Sequence, residues 1–122
     1  MKQIFLFFFV ATLFSFSANA QTVTSCNFTY PKLEFKEGSC ALTADTKTTL
    51  NQLAADMAAN PDCSITLVLK AQSKLMQKIT GCRTEAIRKY LDMKGIALSR
   101  VKVTTDKKTD SDTIETEPAN SN

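Results

Sequence analysis

The feature that most constrains this fold is an apolar run followed directly by a helical pattern, in residues 65–91. Residues 65–69 read Ile-Thr-Leu-Val-Leu, a short apolar run typical of a buried strand. After a short polar connection, apolar residues recur at the spacing of one helix face: Ile79, Ala86, Ile87, Tyr90 and Leu91. The pattern predicts a strand that leads into a helix, with Arg83 in the early turns of that helix.

Two further strands and one further helix flank this unit. Leu33 and Phe35 alternate with charged residues, as do Val101 and Val103, and each alternation predicts a strand. Thr43 is a good N-cap for a helix between the first two strands. An amphipathic stripe follows it: Leu50, Leu53, Ala54 and Met57. The order β-α-β-α-β with right-handed crossovers predicts parallel first and second strands, with both helices packed on the sheet.

The two ends of the chain are set apart from the predicted domain, residues 30–104. Residues 1–20 combine a charged start, a Phe-rich apolar run and an Ala-x-Ala cleavage site, which indicates a secretory signal peptide. An uncleaved membrane anchor is the alternative, although the apolar run is short for a span. Residues 21–29 are polar, and we expect an extended segment there. Residues 105–122 are polar and acidic, and they predict a disordered tail.

Four cysteines follow the predicted signal peptide: Cys26, Cys40, Cys63 and Cys82. An even number in a small exported chain predicts two disulfides, since the oxidising compartment lets them persist. The chain has no histidine and no closely spaced cysteine pair, which argues against a zinc site and against a thioredoxin-like redox site. Of the three possible connectivities we favour Cys26–Cys63 and Cys40–Cys82, because each pair lies at one end of the predicted sheet.

The order and spacing of several motifs resemble the OmpA-like peptidoglycan-binding domain, over residues 33–103. The resemblance rests on the leucines of the first helix before Asn60-Pro61, on residues 79–91 (ITGCRTEAIRKYL), and on the Lys94-Gly95-Ile96 turn before the last strand. It implies an α+β fold, a two-layer sandwich in which helices pack on a mixed sheet. In this chain we expect that fold to be held by disulfides.

The resemblance also implies a ligand site. In the family, a pocket grips the diaminopimelate part of the peptidoglycan stem, with an aspartate after the second strand and an arginine on the second helix. Such a ligand carries both ammonium and carboxylate groups, so it calls for a carboxylate and a guanidinium held apart. In this sequence Arg83 falls at the arginine position and Ser73 at the aspartate position. The predicted ligand-binding residues are Arg83, Ser73, Gln72 and Lys74.

Two functions are consistent with these features. The first is an exported cell-envelope module that contacts peptidoglycan or another envelope component through a cleft around Arg83. Residues 21–103 contain 12 basic and 7 acidic residues, which suits an anionic envelope polymer. The alternative is a structural or protein-interaction domain that has lost peptidoglycan binding, with Arg83 paired to Glu37 or Glu85 inside the fold.

Catalysis is not expected. The chain has no histidine, and Ser73 and Ser39 have no evident base partner. We expect no cofactor, no metal ion and no nucleic-acid partner, and envelope proteins are the alternative class of partner. The expected location is the periplasm, the outer membrane or the space outside the cell, with no transmembrane anchor in the mature chain.

Overall fold

The structure, a computed structural model, describes Cys26 and residues 28–119. The predicted signal peptide, residues 1–20, and most of the predicted extended segment, residues 21–29, lie outside the described residues. The elements in chain order are β1 (Lys32–Glu34), α1 (Ala44–Ala59), β2 (Ile65–Lys70), α2 (Lys74–Met93), a 3₁₀ turn (Leu98–Arg100), β3 (Val101–Asp106) and β4 (Thr113–Pro118).

The four strands form one mixed sheet in the order β1-β4-β2-β3. β2 and β3 are parallel, with Ile65 opposite Val101, and α2 makes the crossover between them. β4 is antiparallel to both of its neighbours, so β1 and β2 run in the same direction with β4 between them. The predicted α+β fold with a mixed sheet is confirmed.

The predicted disordered tail is wrong for residues 105–118. Residues 105 and 106 complete β3, and residues 113–118 form β4 in the middle of the sheet. Ile114 is fully buried opposite Leu33, and the buried Thr116 donates its hydroxyl to the Pro31 carbonyl at 2.8 Å. β4 carries so few apolar residues because only one of its faces meets the core, and polar side chains occupy the other face.

The core lies between one face of the sheet and the two helices. Along β2, Ile65, Leu67 and Leu69 are buried, whereas the intervening Thr66, Val68 and Lys70 are only partly buried. The buried positions of the predicted first-helix stripe, such as Leu50 and Met57, belong to the same cluster, as do residues of α2 such as Ile87 and Leu91. This two-layer arrangement leaves the second face of the sheet to polar residues.

Both favoured disulfides are present. Cys26–Cys63 joins the segment before β1 to the residues just before β2, with 5.9 Å between the Cα atoms. Cys40–Cys82 joins the β1–α1 loop to α2, with a Cα separation of 5.8 Å. Cys40–Cys82 therefore ties a loop to a helix, whereas Cys26–Cys63 ties the segment before β1 to the α1–β2 loop. Within the part of the chain that the structure describes, neither helix is long and apolar enough to cross a membrane.

Candidate functional site

The N-terminus of α2 is capped twice. The Ser73 hydroxyl accepts from the Met76 N–H at 3.0 Å, which is the usual N-cap bond to the third residue of the helix. The Asp110 carboxylate, from the β3–β4 loop, accepts from the N–H groups of Gln72 at 2.5 Å and Ser73 at 3.0 Å. These two backbone hydrogen bonds hold the pKa of Asp110 below its ordinary value, because they favour the charged form. Asp110 therefore fastens the β3–β4 loop to the start of α2.

Three of the four predicted ligand-binding residues lie together at this helix start. Gln72, Ser73 and Lys74 are consecutive and exposed. Both backbone polar groups of Gln72 are hydrogen-bonded, because its N–H donates to Asp110 and its carbonyl accepts from the Gln77 side chain at 3.2 Å. The Ser73 hydroxyl accepts the N-cap hydrogen bond of the helix, and Lys74 is the first residue of α2. The structure thus places the Asp110 carboxylate at the backbone of two exposed residues, Gln72 and Ser73, and Lys74 follows them in sequence.

The fourth predicted residue, Arg83, is in the interior. Its side chain is 0% exposed. Nε donates to the Ser39 carbonyl at 2.7 Å, and Nη2 donates to the Lys36 carbonyl at 2.9 Å and to the Asp112 carboxylate at 3.0 Å. The guanidinium therefore joins α2 to the β1–α1 loop and to the β3–β4 loop at the same time.

Apolar and sulfur groups close the remaining sides of the Arg83 guanidinium. The ring of Phe35 lies under it, with its centroid 4.8 Å from Cζ, in a cation–π contact. Nη1 lies 4.0 Å from the Met76 sulfur. The Cys40–Cys82 disulfide is adjacent in sequence to both Ser39 and Arg83, and it holds the loop against the helix. An external carboxylate has no direct path to this guanidinium.

The predicted ligand-binding residues therefore do not form a single open cleft. Gln72, Ser73 and Lys74 are on the surface, whereas the guanidinium of Arg83 is enclosed. The alternative prediction of a structural arginine has the wrong partners, since Arg83 pairs with Asp112 rather than with Glu37 or Glu85. The reason is the position of the β3–β4 loop, which brings residues of the predicted tail to α2.

Sequence reasoning missed both aspartates of this loop, Asp110 and Asp112. Both lie in the stretch predicted as a disordered tail, and that prediction places neither of them near α2. The signal that could have placed them is the run Ile-Glu-Thr-Glu at residues 114–117, in which β-branched residues alternate with charged ones. A strand there would have required a short loop after the third strand and would have brought the aspartates back to the fold.

A groove of about 370 Å³ lies between α2 and the edge strand β3. Its base includes Leu69 and Val103, and polar side chains of α2 such as Thr84 and Arg88 form one wall. Arg83 is not among its lining residues. Across the described residues, no group of three or more Cys, Asp or Glu side chains is arranged to hold a metal ion.

No family model and no curated protein matches this chain in sequence. Solved structures match its fold. The OmpA-like domain of FopA1 from Francisella tularensis subsp. tularensis SCHU S4 superposes with a TM-score of 0.60 at 16% identity, over 75% of each chain. The C-terminal domain of Helicobacter pylori MotB superposes with a TM-score of 0.59 at 10% identity, over 74% of this chain and 84% of that one. The chain therefore has an OmpA-like fold.

Proposed function

We propose that this protein is an exported envelope module in which the OmpA-like fold serves as a structural or protein-interaction domain, and in which Arg83 stabilises the fold instead of gripping a ligand. The observation that carries the proposal is the complete burial of Arg83 and its ion pair with Asp112. The disulfides Cys26–Cys63 and Cys40–Cys82 support export, since such bonds persist in oxidising compartments.

The hydrogen-bond partners of Arg83 argue against a role in ligand binding. A guanidinium that recognises a carboxylate offers two parallel N–H groups to it. In this protein Nε and Nη2 already donate to Ser39, Lys36 and Asp112. A ligand that displaced them would leave two loop carbonyls and one carboxylate without a donor, and each unpaired group opposes binding.

The predicted ligand-binding residues at the start of α2 do not favour an ammonium ion either. Ser73 is uncharged and its hydroxyl is engaged with the Met76 N–H. Lys74 is exposed beside it and would repel a second cation. We therefore place the function of the domain in contacts with envelope proteins, and not in binding of a peptide stem or in catalysis.

One observation favours a second candidate, a residual contact with peptidoglycan. The Asp110 carboxylate lies at the backbone of Gln72 and Ser73, where the OmpA-like resemblance expects an aspartate side chain. A carboxylate supplied by the β3–β4 loop would stand in for the missing one. In this second candidate the Asp110 carboxylate attracts the ammonium group of the peptidoglycan stem, and Arg83 takes no part in binding.

A sedimentation pulldown with purified peptidoglycan sacculi tests the proposal. We expect the exported protein to stay in the supernatant, or to bind only at low salt through its surface lysines. Arg83→Ala is a poor probe because it removes a buried group. Asp110→Asn is the informative variant, and Asp92→Asn, near the other end of α2, is its matched control. Binding that resists salt and is lost in Asp110→Asn, but not in Asp92→Asn, would overturn the proposal in favour of the second candidate.

A further inference from the structure

β3 is an edge strand of the sheet, and the direction of its hydrogen bonds identifies its free groups. The Ala71 N–H donates to the Asp106 carbonyl at 2.9 Å, while Asp106 stands opposite Lys70 in the parallel pair. Backbone groups alternate in direction along a strand, so those of Lys102, Thr104 and Asp106 face β2. The N–H and C=O groups of Val103 and Thr105 therefore point away from the sheet. Within the described residues, β3 has no neighbour on that side.

This edge is long and regular compared with the opposite one. β3 has six residues in unbroken register with β2 and contains neither proline nor glycine, whereas β1 at the other edge has three residues. Edge strands that stay single are usually short, bulged, interrupted by proline or lined with charged side chains. Of these devices β3 has only the charged residues Lys102 and Asp106, which are opposite in sign. Val103, on the side of the groove next to α2, is 43% exposed. The edge therefore offers backbone hydrogen bonds and an apolar side chain together.

The charges of β3 are complementary to those of a second β3 in antiparallel orientation. In a two-fold arrangement centred on Thr104, residues whose numbers sum to 208 stand opposite each other and share a face of the sheet. Lys102 of each subunit then faces Asp106 of the partner subunit, which makes two such charge pairs in the dimer. Both pairs lie on the face of the sheet away from the helices. Centring on Val103 would place Lys102 opposite a threonine, and centring on Thr105 would place it opposite a lysine. Charge thus selects the register centred on Thr104.

We propose that this protein forms a symmetric dimer in which two β3 strands pair antiparallel about Thr104 and join two sheets into one of eight strands. Val103 and Thr105 exchange backbone hydrogen bonds with the same residues of the second copy, because their outward groups come opposite each other. Val103 is covered by the partner's Thr105 along the groove side. The contact is isologous, so it closes at two subunits. The inference does not depend on the proposed function.

Sedimentation equilibrium of the disulfide-bonded protein, residues 21–122, over a range of concentrations tests the dimer. We expect a mass of two chains for the wild type. Lys102→Asp places like charges opposite each other at two sites and should raise the dimer Kd roughly tenfold or more. Lys47→Asp, on the exposed surface of α1, changes the net charge equally and should leave the Kd unchanged. Circular dichroism checks that each variant is folded.

A mixing experiment makes the test specific for the register. Asp106→Lys alone should also favour monomers. When it is mixed with Lys102→Asp, every facing pair becomes opposite in charge, and a heterodimer should form that neither variant makes by itself. A wild type that remains monomeric at about millimolar concentration would overturn the proposal, since a Kd above that corresponds to only about 4 kcal/mol of binding. Two further results would also overturn the proposal. One is a dimer that Lys102→Asp weakens no more than Lys47→Asp does, and the other is a mixture of Lys102→Asp and Asp106→Lys that forms no heterodimer.

Discussion

A guanidinium buried without partners is strongly destabilising, and Arg83 avoids this through contacts with two loops. Its partners are two backbone carbonyls, of Lys36 and Ser39, and the carboxylate of Asp112. Arginine suits this position because its planar group offers several donors at fixed angles, which one lysine ammonium cannot reproduce. The position of Arg83 on the second helix could be predicted from sequence. Its partner was harder to predict, because Asp112 precedes a strand that is marked only by the short alternation of residues 114–117.

The first prediction concerns the Arg83–Asp112 pair. Asp112→Ala should lower the free energy of unfolding by about 2–3 kcal/mol, because it leaves a buried guanidinium with carbonyl partners only. The loss should fall below the 3–5 kcal/mol of a fully buried pair, since the Asp112 side chain is 38% exposed. Urea denaturation followed by circular dichroism measures it.

Asp92→Ala is the matched control for this prediction, since Asp92 is exposed near the other end of α2. Its free energy of unfolding should stay within about 0.5 kcal/mol of the wild type. Equal stability of Asp112→Ala and Asp92→Ala would mean that the ion pair contributes nothing to the fold.

At the scale of elements, the three strands and two helices with strong patterns were predictable, whereas β4 was marked only by the short alternation of residues 114–117. β2 carries three buried apolar residues in alternation, and α2 repeats apolar residues on one face. β4 buries one large apolar residue, Ile114, together with Thr116, and its remaining residues are partly or fully exposed. A strand whose stability comes from pairing on both sides needs few apolar residues, so its sequence resembles that of a polar tail.

The second prediction is that the chain does not fold without β4. Ending the chain after Asp112 would leave β1 without a hydrogen-bonding neighbour and would open a gap between β1 and β2. We expect this variant to show no cooperative unfolding transition in urea. Ending the chain after Ala119 keeps β4 whole and should preserve the transition midpoint. A cooperative transition in the shorter variant would show that β4 is dispensable.

At the scale of the whole molecule, the two disulfides lie at opposite ends of the sheet, and one of them, Cys40–Cys82, ties a loop to α2. Their predicted pairing is correct because topology alone brings Cys26 to Cys63 and Cys40 to Cys82. They differ in accessibility. Cys63 is 2% exposed, whereas Cys82 is on the surface of α2. Cys26 and Cys40 are both half-buried, so the bond next to Arg83 is the more accessible of the two to an external thiol.

The third prediction is that a mild dithiol reduces Cys40–Cys82 before Cys26–Cys63 in the native protein. Alkylation followed by mass spectrometry should detect modified Cys40 and Cys82 first. Loss of this bridge should lower the free energy of unfolding by about 2–4 kcal/mol. The same treatment in denaturant is the control, because both bridges should then be reduced at similar rates. Earlier labelling of Cys63 in the native state would contradict the assigned difference in access.

The place of β4 in the sheet has a consequence for how the chain acquires its structure in time. β4 lies between β1 and β2, yet the ribosome makes it after both, and the hydroxyl of Thr116 bonds to a residue 85 positions earlier. Contacts of such long range slow folding. Until residues 113–118 have been synthesised, the sheet cannot close around Ile114. We therefore expect the chain translated before them to have no closed sheet, and a chain without stable tertiary structure is one that can be threaded through a translocation channel.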